Sequence, residues 1–258
     1  SYLEDRVVVK QIIKDYNGAI DDFTKIIELN PNRGYTYYQR GILKDLLEDF
    51  SGALKDFTKA IELNYKHEEI YLYRGKTKGD LKDYSGAIDD FTKAIELNPK
   101  YYYYRGLVKV YLKDYNGAID DFTKAIETDY NNAEAYYYRG RAKVYLKDYN
   151  NAIDDFTKAI EIDSTTYYNK GNTEAFYYYR GLAKGAGRED RLTQHTDAYQ
   201  DFTKAIELNP KNGSTYLLRG LLNVDYLDDF TKAIELDRNN AHIAYYYRGL
   251  VKSKHKDY

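Results

Sequence analysis

Residues 90–99 read DFTKAIELNP, and the same ten residues return at 201–210. A shorter form, DFTK followed by Ile or Ala and then Ile-Glu, occurs seven times. Its phenylalanine stands at Phe23, Phe57, Phe91, Phe122, Phe156, Phe202 and Phe230. The usual interval between them is 34 residues, as from Phe57 to Phe91 (91 − 57 = 34). A fixed period of this length indicates stacked copies of one structural unit.

A second sequence motif, usually YYYRG, alternates with the DFTK motif. Its arginine stands at Arg40, Arg74, Arg105, Arg139, Arg180, Arg219 and Arg248, and Arg6 holds the same place in a degenerate first copy. In a regular copy the arginine precedes the phenylalanine by 17 residues, as from Arg40 to Phe57 (57 − 40 = 17). The unit therefore consists of two equal halves.

Each half predicts an amphipathic helix. In the fifth copy, Ala152, Phe156, Ala159 and Ile160 recur with the period of 3.6 residues that marks one helix face. We expect the seven phenylalanines to be buried between helices. The favoured N-cap residues at the start of the second helix are Asn17, Ser51, Ser85, Asn116 and Asn150. The three prolines, Pro31, Pro99 and Pro210, are expected to end this helix.

This pattern resembles the tetratricopeptide repeat family, whose 34-residue unit is a helix–turn–helix. Tyr136, Gly140, Ala152, Phe156 and Ala159 match the aromatic, small and apolar positions of that unit. The resemblance implies an all-α, right-handed solenoid over residues 1–258. We expect a single array of about seven repeats plus a final unpaired helix. The array should be regular to about residue 163, with insertions at 164–173 and 185–199.

The copies depart from the family pattern by placing a pair of cations on one face of the first helix. Arginine precedes the glycine of each copy, and lysine follows four residues later in most, as in Arg139 and Lys143. Like charges at this spacing repel, so a repeated anionic partner is expected. Candidate interhelix pairs join Arg40, Arg74, Arg105, Arg139 and Arg180 to Asp22, Asp56, Asp90, Asp121 and Asp155. The alternative, that both charges are solvated, stays open at this point.

The resemblance also implies that the first helices line a concave groove. The residues two before and two after each arginine should face it. They include Tyr38, Ile42, Leu72, Tyr103, Leu107, Tyr137, Arg141, Tyr178, Leu182, Leu217, Leu221 and Tyr246. This largely aromatic and aliphatic lining favours a scaffold that binds a peptide or helix through apolar and tyrosyl contacts. The alternative is that several of these tyrosines pack in the core.

The ends of the chain suggest a second function. Val8 and Ile12 lie on the apolar face of the first helix, and Tyr245 and Tyr247 lie on the last. If the last helix of one molecule packs on the first helix of the next, the contact repeats from molecule to molecule without forming a closed ring. The alternative function is therefore a structural protein that assembles head to tail into a superhelical filament.

Composition argues against several other classes. The net charge is −2, from 39 cationic and 41 anionic residues, so nucleic acid is not an expected partner. We also expect no membrane span, because no apolar run approaches the required length. The four histidines have no ligand spacing, and neither a phosphate loop nor a nucleophile motif is present. We expect no enzyme activity, no cofactor and no small-molecule substrate, but rather a protein or peptide partner, other copies of the chain included.

The compartment stays open at the level of sequence. Cysteine and methionine are both missing, the initiator methionine included. These features are compatible with a secreted or cell-surface location and do not exclude the cytoplasm.

Overall fold

The structure, a computed structural model, describes residues 2–165, 172–186, 191–222, 227–239 and 241–254. These residues form fifteen α-helices and one short 3₁₀ helix, with no strand among them. The first helices of seven pairs are α1 (Tyr2–Ile12), α3 (Gly34–Leu46), α5 (Ile70–Asp80), α7 (Tyr102–Tyr111), α9 (Ala133–Tyr145), α11 (Thr173–Ala186) and α13 (Gly213–Leu222). The second helices are α2 (Tyr16–Leu29), α4 (Phe50–Glu62), α6 (Tyr84–Leu97), α8 (Tyr115–Thr128), α10 (Tyr149–Thr165), α12 (Arg191–Leu208) and α14 (Leu227–Leu236). A last helix, α15, spans Ala241–Lys254, and the 3₁₀ helix spans Pro99–Tyr101.

The helices belong to two compact units, Ser1–Thr128 and Asp129–Tyr258. In both units the two helices of a pair pack on each other. Each second helix also packs on the next first helix of its unit, as α4 does on α5 and α14 on α15. That residues 1–258 form one continuous array stays a prediction.

The centre of each pair after the first is a phenylalanine ring against a glycine. All seven repeated phenylalanines are buried, which confirms that prediction. A Cβ atom added to Gly106 would lie 2.8 Å from Cε1 of Phe122, so no side chain larger than hydrogen fits there without movement. The same approach recurs between Gly41 and Phe57. Burying each ring stabilises the fold by roughly 1.5–3 kcal/mol.

Five of the second helices begin two residues earlier than the cap prediction requires. α2, α4, α6, α8 and α10 begin at Tyr16, Phe50, Tyr84, Tyr115 and Tyr149, so Asn17, Ser51, Ser85, Asn116 and Asn150 lie inside the first turn and are not N-caps. In the first four of these helices the carboxylate of the preceding aspartate takes that role. The backbone N–H of Gly18, for example, donates to Asp15 Oδ1 at 3.0 Å. The residue before the aspartate, such as Lys82 with φ 64°, has left-handed backbone geometry and ends the preceding helix.

The described part of the insertion at 185–199 extends a helix. α12 has 18 residues, whereas α8 has 14. The extra residues from Arg191 onward therefore lengthen the start of the second helix of this pair. Residues 166–171 and 187–190, which belong to the two predicted insertions, lie outside the described residues.

Candidate functional site

A buried aspartate joins the two helices of each pair. In α3 and α4, Arg40 donates from Nε to Asp56 Oδ2 at 2.8 Å and from Nη2 to Asp56 Oδ1 at 2.7 Å. Lys44 Nζ lies 2.8 Å from Oδ2 of the same carboxylate. A bidentate, charge-assisted pair of this kind is among the stronger polar contacts in proteins. One anion thus neutralises both cations, which removes the like-charge cost of their spacing.

The same arrangement recurs along the chain. The further triads are Asp22 with Arg6 and Lys10, Asp90 with Arg74 and Lys78, Asp121 with Arg105 and Lys109, Asp155 with Arg139 and Lys143, and Asp201 with Arg180 and Lys184. Asp229 pairs with Arg219 although only ten residues separate them. Hydrogen bonding from Arg6, opposed by burial and aided by Lys10, lowers the pKa of Asp22 to about 2.

The sequence interpretation missed a threonine that extends this network to the next pair. Arg40 Nη1 donates to Thr24 Oγ1 at 3.0 Å, and Thr24 lies on the second helix of the preceding pair. The equivalent contacts join Arg74 to Thr58, Arg105 to Thr92, Arg180 to Thr157, Arg219 to Thr203 and Arg248 to Thr231. The signal was present, because threonine follows the phenylalanine in all seven copies.

A groove in the first unit is a candidate binding site that contains one of the predicted groove residues. Its cavity of about 450 Å³ is lined by side chains of α3, α5 and α7, with Tyr84 and Phe91 of α6. Leu107 and Tyr111 supply apolar and aromatic surface, and the Tyr111 ring stacks on Tyr84 with centroids 5.8 Å apart. Leu107 is the predicted groove residue that lies here. We call this cavity the α3–α5–α7 groove.

Four charged residues line the groove, namely Asp45, Lys76, Asp80 and Lys82. Lys76 Nζ lies 4.3 Å from the centroid of the Tyr104 ring, a cation–π contact. Asp45 Oδ1 accepts a hydrogen bond of 2.6 Å from the buried Thr77 hydroxyl. Partial burial first, and the charge of Asp45 second, raise the pKa of Asp80 above its ordinary value, while Lys76 opposes the shift. Asp80 stays exposed at the rim, so solvent screens these interactions.

These acidic residues stand where the repeats differ. Five and six residues after the arginine, the α7 and α9 copies carry Val-Tyr, as in Val110-Tyr111. The α3 copy carries Asp45 and the α5 copy carries Gly79-Asp80 at these positions. The sequence interpretation did not single out either aspartate. The signal in the sequence was weak, because most copies depart from Val-Tyr here and the α13 copy also places an aspartate, Asp225, six residues after its arginine.

Four of the twelve predicted groove residues are packing residues instead. Tyr38, Leu72, Tyr137 and Leu217 lie in the hydrophobic clusters between helices, and Tyr38 is only 3% exposed. Burial also raises the pKa of the Tyr38 and Tyr137 phenols. The prediction that residues two before the arginine face the groove failed here, because these side chains pack against the next first helix. The remaining residues are half-buried or exposed, namely Ile42, Tyr103, Leu107, Arg141, Tyr178, Leu182, Leu221 and Tyr246.

The two ends differ in how their predicted assembly residues are placed. Val8 and Ile12 are exposed by 54% and 74%, and Tyr245 is exposed as well. Tyr247 is not available for assembly, because its ring stacks on Phe230 with centroids 6.0 Å apart.

Within the described ranges no helix is long and apolar enough to cross a membrane.

Comparison with known proteins agrees with this geometry. The Tetratricopeptide repeat pattern matches residues 35–67, 68–101, 100–132 and 133–166, about half of the chain. No curated protein sequence matches the chain.

Solved structures extend the likeness over more of the chain. The C-terminal part of a TPR repeat-containing protein from Cytophaga hutchinsonii is 20% identical, with a TM-score of 0.73 over 93% of this chain and 97% of that one. MamA is 26% identical, with a TM-score of 0.59 over 60% of this chain and 92% of its own. YrrB, described as a TPR protein with an unusual peptide-binding site, is 24% identical, with a TM-score of 0.59 over 75% of this chain and 95% of its own. The all-α repeat fold is thereby confirmed, and the chain belongs to the tetratricopeptide repeat family.

Proposed function

We propose that this chain is a non-catalytic scaffold that binds a peptide or helix of another protein in the α3–α5–α7 groove. Tetratricopeptide repeats are typically interaction modules, which supports the general class. The groove supports the particular place, since it combines an aromatic and aliphatic wall with a few charged groups.

The chemistry of the groove favours a segment with a basic side chain beside an apolar one. Asp80 has no ion-pair partner within 4 Å among the described residues, and Asp45 adds a second negative charge to the same cavity. A lysine or arginine of the ligand would pair with the Asp80 carboxylate, which has only the longer-range charge of Lys76 to oppose it. Its apolar neighbour would then lie against Leu107 and Tyr111. The unpaired carboxylate of Asp80 in a tyrosine-lined cavity is the observation that carries this proposal.

Selection from a random peptide library, followed by fluorescence anisotropy on the selected peptides, tests the proposal. We expect selected peptides to contain Lys or Arg next to an aromatic or aliphatic residue. Asp80→Asn should weaken their binding about tenfold, because a charge-assisted contact is lost. Asp89→Asn is the matched control, since Asp89 is an exposed aspartate of α6 outside the groove lining. Equal binding to wild type, Asp80→Asn and Leu107→Glu would refute the groove as the site.

Self-association through the chain ends is the second candidate. The exposure of Val8, Ile12 and Tyr245 favours it, because apolar surface of this kind usually marks an interaction site. Light scattering after size-exclusion chromatography at several concentrations should then show a mass above 30.3 kDa that rises with concentration. Ile12→Asp should abolish the rise. A mass of one chain at every concentration would exclude this candidate.

A further inference from the structure

Tyrosine is the side chain through which this chain is most readily oxidised. Residues 1–258 contain 33 tyrosines and neither cysteine, methionine nor tryptophan. Thiols and thioethers are the usual first targets of oxidants in proteins, and indole rings also lose an electron readily. A one-electron oxidant that acts on these residues therefore produces a tyrosyl radical.

Tyr84 and Tyr111 form a stacked pair between two helices. Tyr84 is the first residue of α6 and Tyr111 is the last residue of α7. Their ring centroids lie 5.8 Å apart, and their ring planes differ by only 7°. Tyr111 is 71% exposed, so its phenol proton can pass to water as an electron leaves the ring. Both rings line the α3–α5–α7 groove, where solvent and a small oxidant reach them.

Two other kinds of tyrosine pair lack these properties. Tyr103 and Tyr104 have centroids 5.3 Å apart, but their rings meet edge to face at 77°, and the residues are neighbours in one helix. A bond between them would join no separate elements. Tyr38 and Tyr65 are also 5.3 Å apart, but Tyr38 is buried, and burial raises the pKa of its phenol. Loss of the phenol proton is therefore opposed at Tyr38.

We propose that Tyr84 and Tyr111 form a dityrosine site, at which a haem peroxidase and hydrogen peroxide join α6 to α7 covalently. Each phenol loses one electron and its hydroxyl proton. The two phenoxyl radicals couple through the ring carbons next to the oxygen-bearing carbons. The hydrogen on each of these carbons then moves to the phenol oxygen as the ring regains aromaticity. The pair thus loses two hydrogen atoms in total, and these reduce one hydrogen peroxide to two molecules of water.

The bond would connect two consecutive repeats. α6 is the second helix of one pair, and α7 is the first helix of the next. A link between residues 84 and 111 closes a loop of 27 residues (111 − 84 = 27), which restricts the unfolded chain and so stabilises the fold. Because both rings line the α3–α5–α7 groove, the bond would also fix one wall of that groove.

The test treats the full chain, at low concentration, with a haem peroxidase and hydrogen peroxide. We expect dityrosine fluorescence in a product that still runs as a single chain on a denaturing gel. After digestion with trypsin, mass spectrometry should find DYSGAIDDFTK (83–93) joined to VYLK (110–113), with the loss of two hydrogen atoms.

Tyr84→Phe and Tyr111→Phe should each abolish the linked peptide. Phenylalanine suits the fold at the first position, because Phe50 begins α4 in the same register. Tyr111→Phe is needed because VYLK also occurs at 144–147, so the mass alone does not identify the second tyrosine. Tyr130→Phe is the matched control and should leave the linked peptide unchanged, since Tyr130 is 67% exposed and has no ring neighbour among the described residues.

Persistence of the linked peptide in Tyr111→Phe would place the bond elsewhere and overturn the proposal. A linked peptide found only in dimers, with a yield that rises with concentration, would also overturn it, because the bond would then join two copies. The same holds for a wild-type chain that gives no linked peptide under conditions in which the peroxidase oxidises free tyrosine.

Discussion

The helices α7 and α15 carry the same eight residues, YYYRGLVK, and this shared segment is packed differently in the two helices. Val108 and Val251 are both buried, since this side of each helix faces the preceding pair. The opposite side is covered by α8 in one case, whereas in the other Gly249 and Leu250 are exposed, Leu250 by 44%.

The difference shows that a first helix has two separate interfaces. One is supplied by the preceding pair and the other by its own second helix. Because stability in repeat proteins is approximately a sum of such nearest-neighbour terms, an identical substitution should have a different cost in the two helices. Each paired experiment below measures one part of that difference.

The largest difference is expected from Arg105→Gln and Arg248→Gln. Loss of Arg105 removes the bidentate partner of Asp121, whose side chain is 2% exposed, and should cost about 3 kcal/mol even though Lys109 remains. Loss of Arg248 leaves no buried carboxylate among the described residues unpaired and should cost less than about 0.5 kcal/mol. Urea unfolding at neutral pH measures both. Similar costs would mean that the Arg–Asp contact contributes little beyond solvation.

The glycines form the next pair. Leucine at Gly106 would collide with the Phe122 ring and should destabilise the fold by about 1–3 kcal/mol. Leucine at Gly249 meets open space and should be neutral or stabilising by up to about 1 kcal/mol, because leucine favours helix over glycine. Thermal unfolding followed at 222 nm compares the two. A destabilised Gly249→Leu variant would show that the α15 face is covered in solution.

The sequence predicted the features that recur in every copy. The spacing of the phenylalanines and arginines fixed which helices pair, and the cation spacing pointed to a shared anion such as Asp56. The predicted cap failed at Asn17 because aspartate and asparagine are both cap residues, and periodicity alone does not choose between Asp15 and Asn17, two positions apart.

Features that depend on neighbouring helices were harder to predict. Tyr38 and Tyr103 occupy the same register, yet the first is buried and the second half-buried, because different side chains lie next to them. The groove carboxylates Asp45 and Asp80 were missed because they occupy positions that vary between copies, whereas the interpretation rested on the positions that recur. Recognising them required the distances between α3, α5 and α7.

Acid should weaken the pairing of α1 with α2 through Asp22, and substitution of Arg248 in α15 should leave this pH effect unchanged. The pKa of Asp22 is lowered from 3.8 to about 2 in the folded chain. A lowered pKa stabilises the fold above about pH 4, and this stabilisation, on the order of 1 kcal/mol, is lost as the pH falls towards 2. Asp22→Asn should therefore flatten the dependence of unfolding free energy on pH in this window, while Arg248→Gln should leave the slope unchanged. An unchanged slope in Asp22→Asn would contradict the assigned pairing with Arg6 and Lys10.

The smallest difference concerns the threonines that the two arginines share. Thr92→Val keeps the side-chain shape but removes the acceptor of a 3.0 Å hydrogen bond from Arg105, a loss of about 1 kcal/mol. Thr231→Val removes a 3.5 Å contact to Arg248, which is long for a hydrogen bond, and should cost only about 0.3 kcal/mol. Both threonines also donate to carbonyls of their own helices, so each single variant includes that common loss. Double-mutant cycles with Arg105→Gln and Arg248→Gln remove this common loss, because it cancels and only the coupling energy between arginine and threonine remains.

A coupling energy that is larger for Thr92 would show that Asp121 holds Arg105 in place for its threonine. Equal coupling would show instead that the preceding pair alone orients the arginine, and that α15 presents its cations in the same orientation as α7.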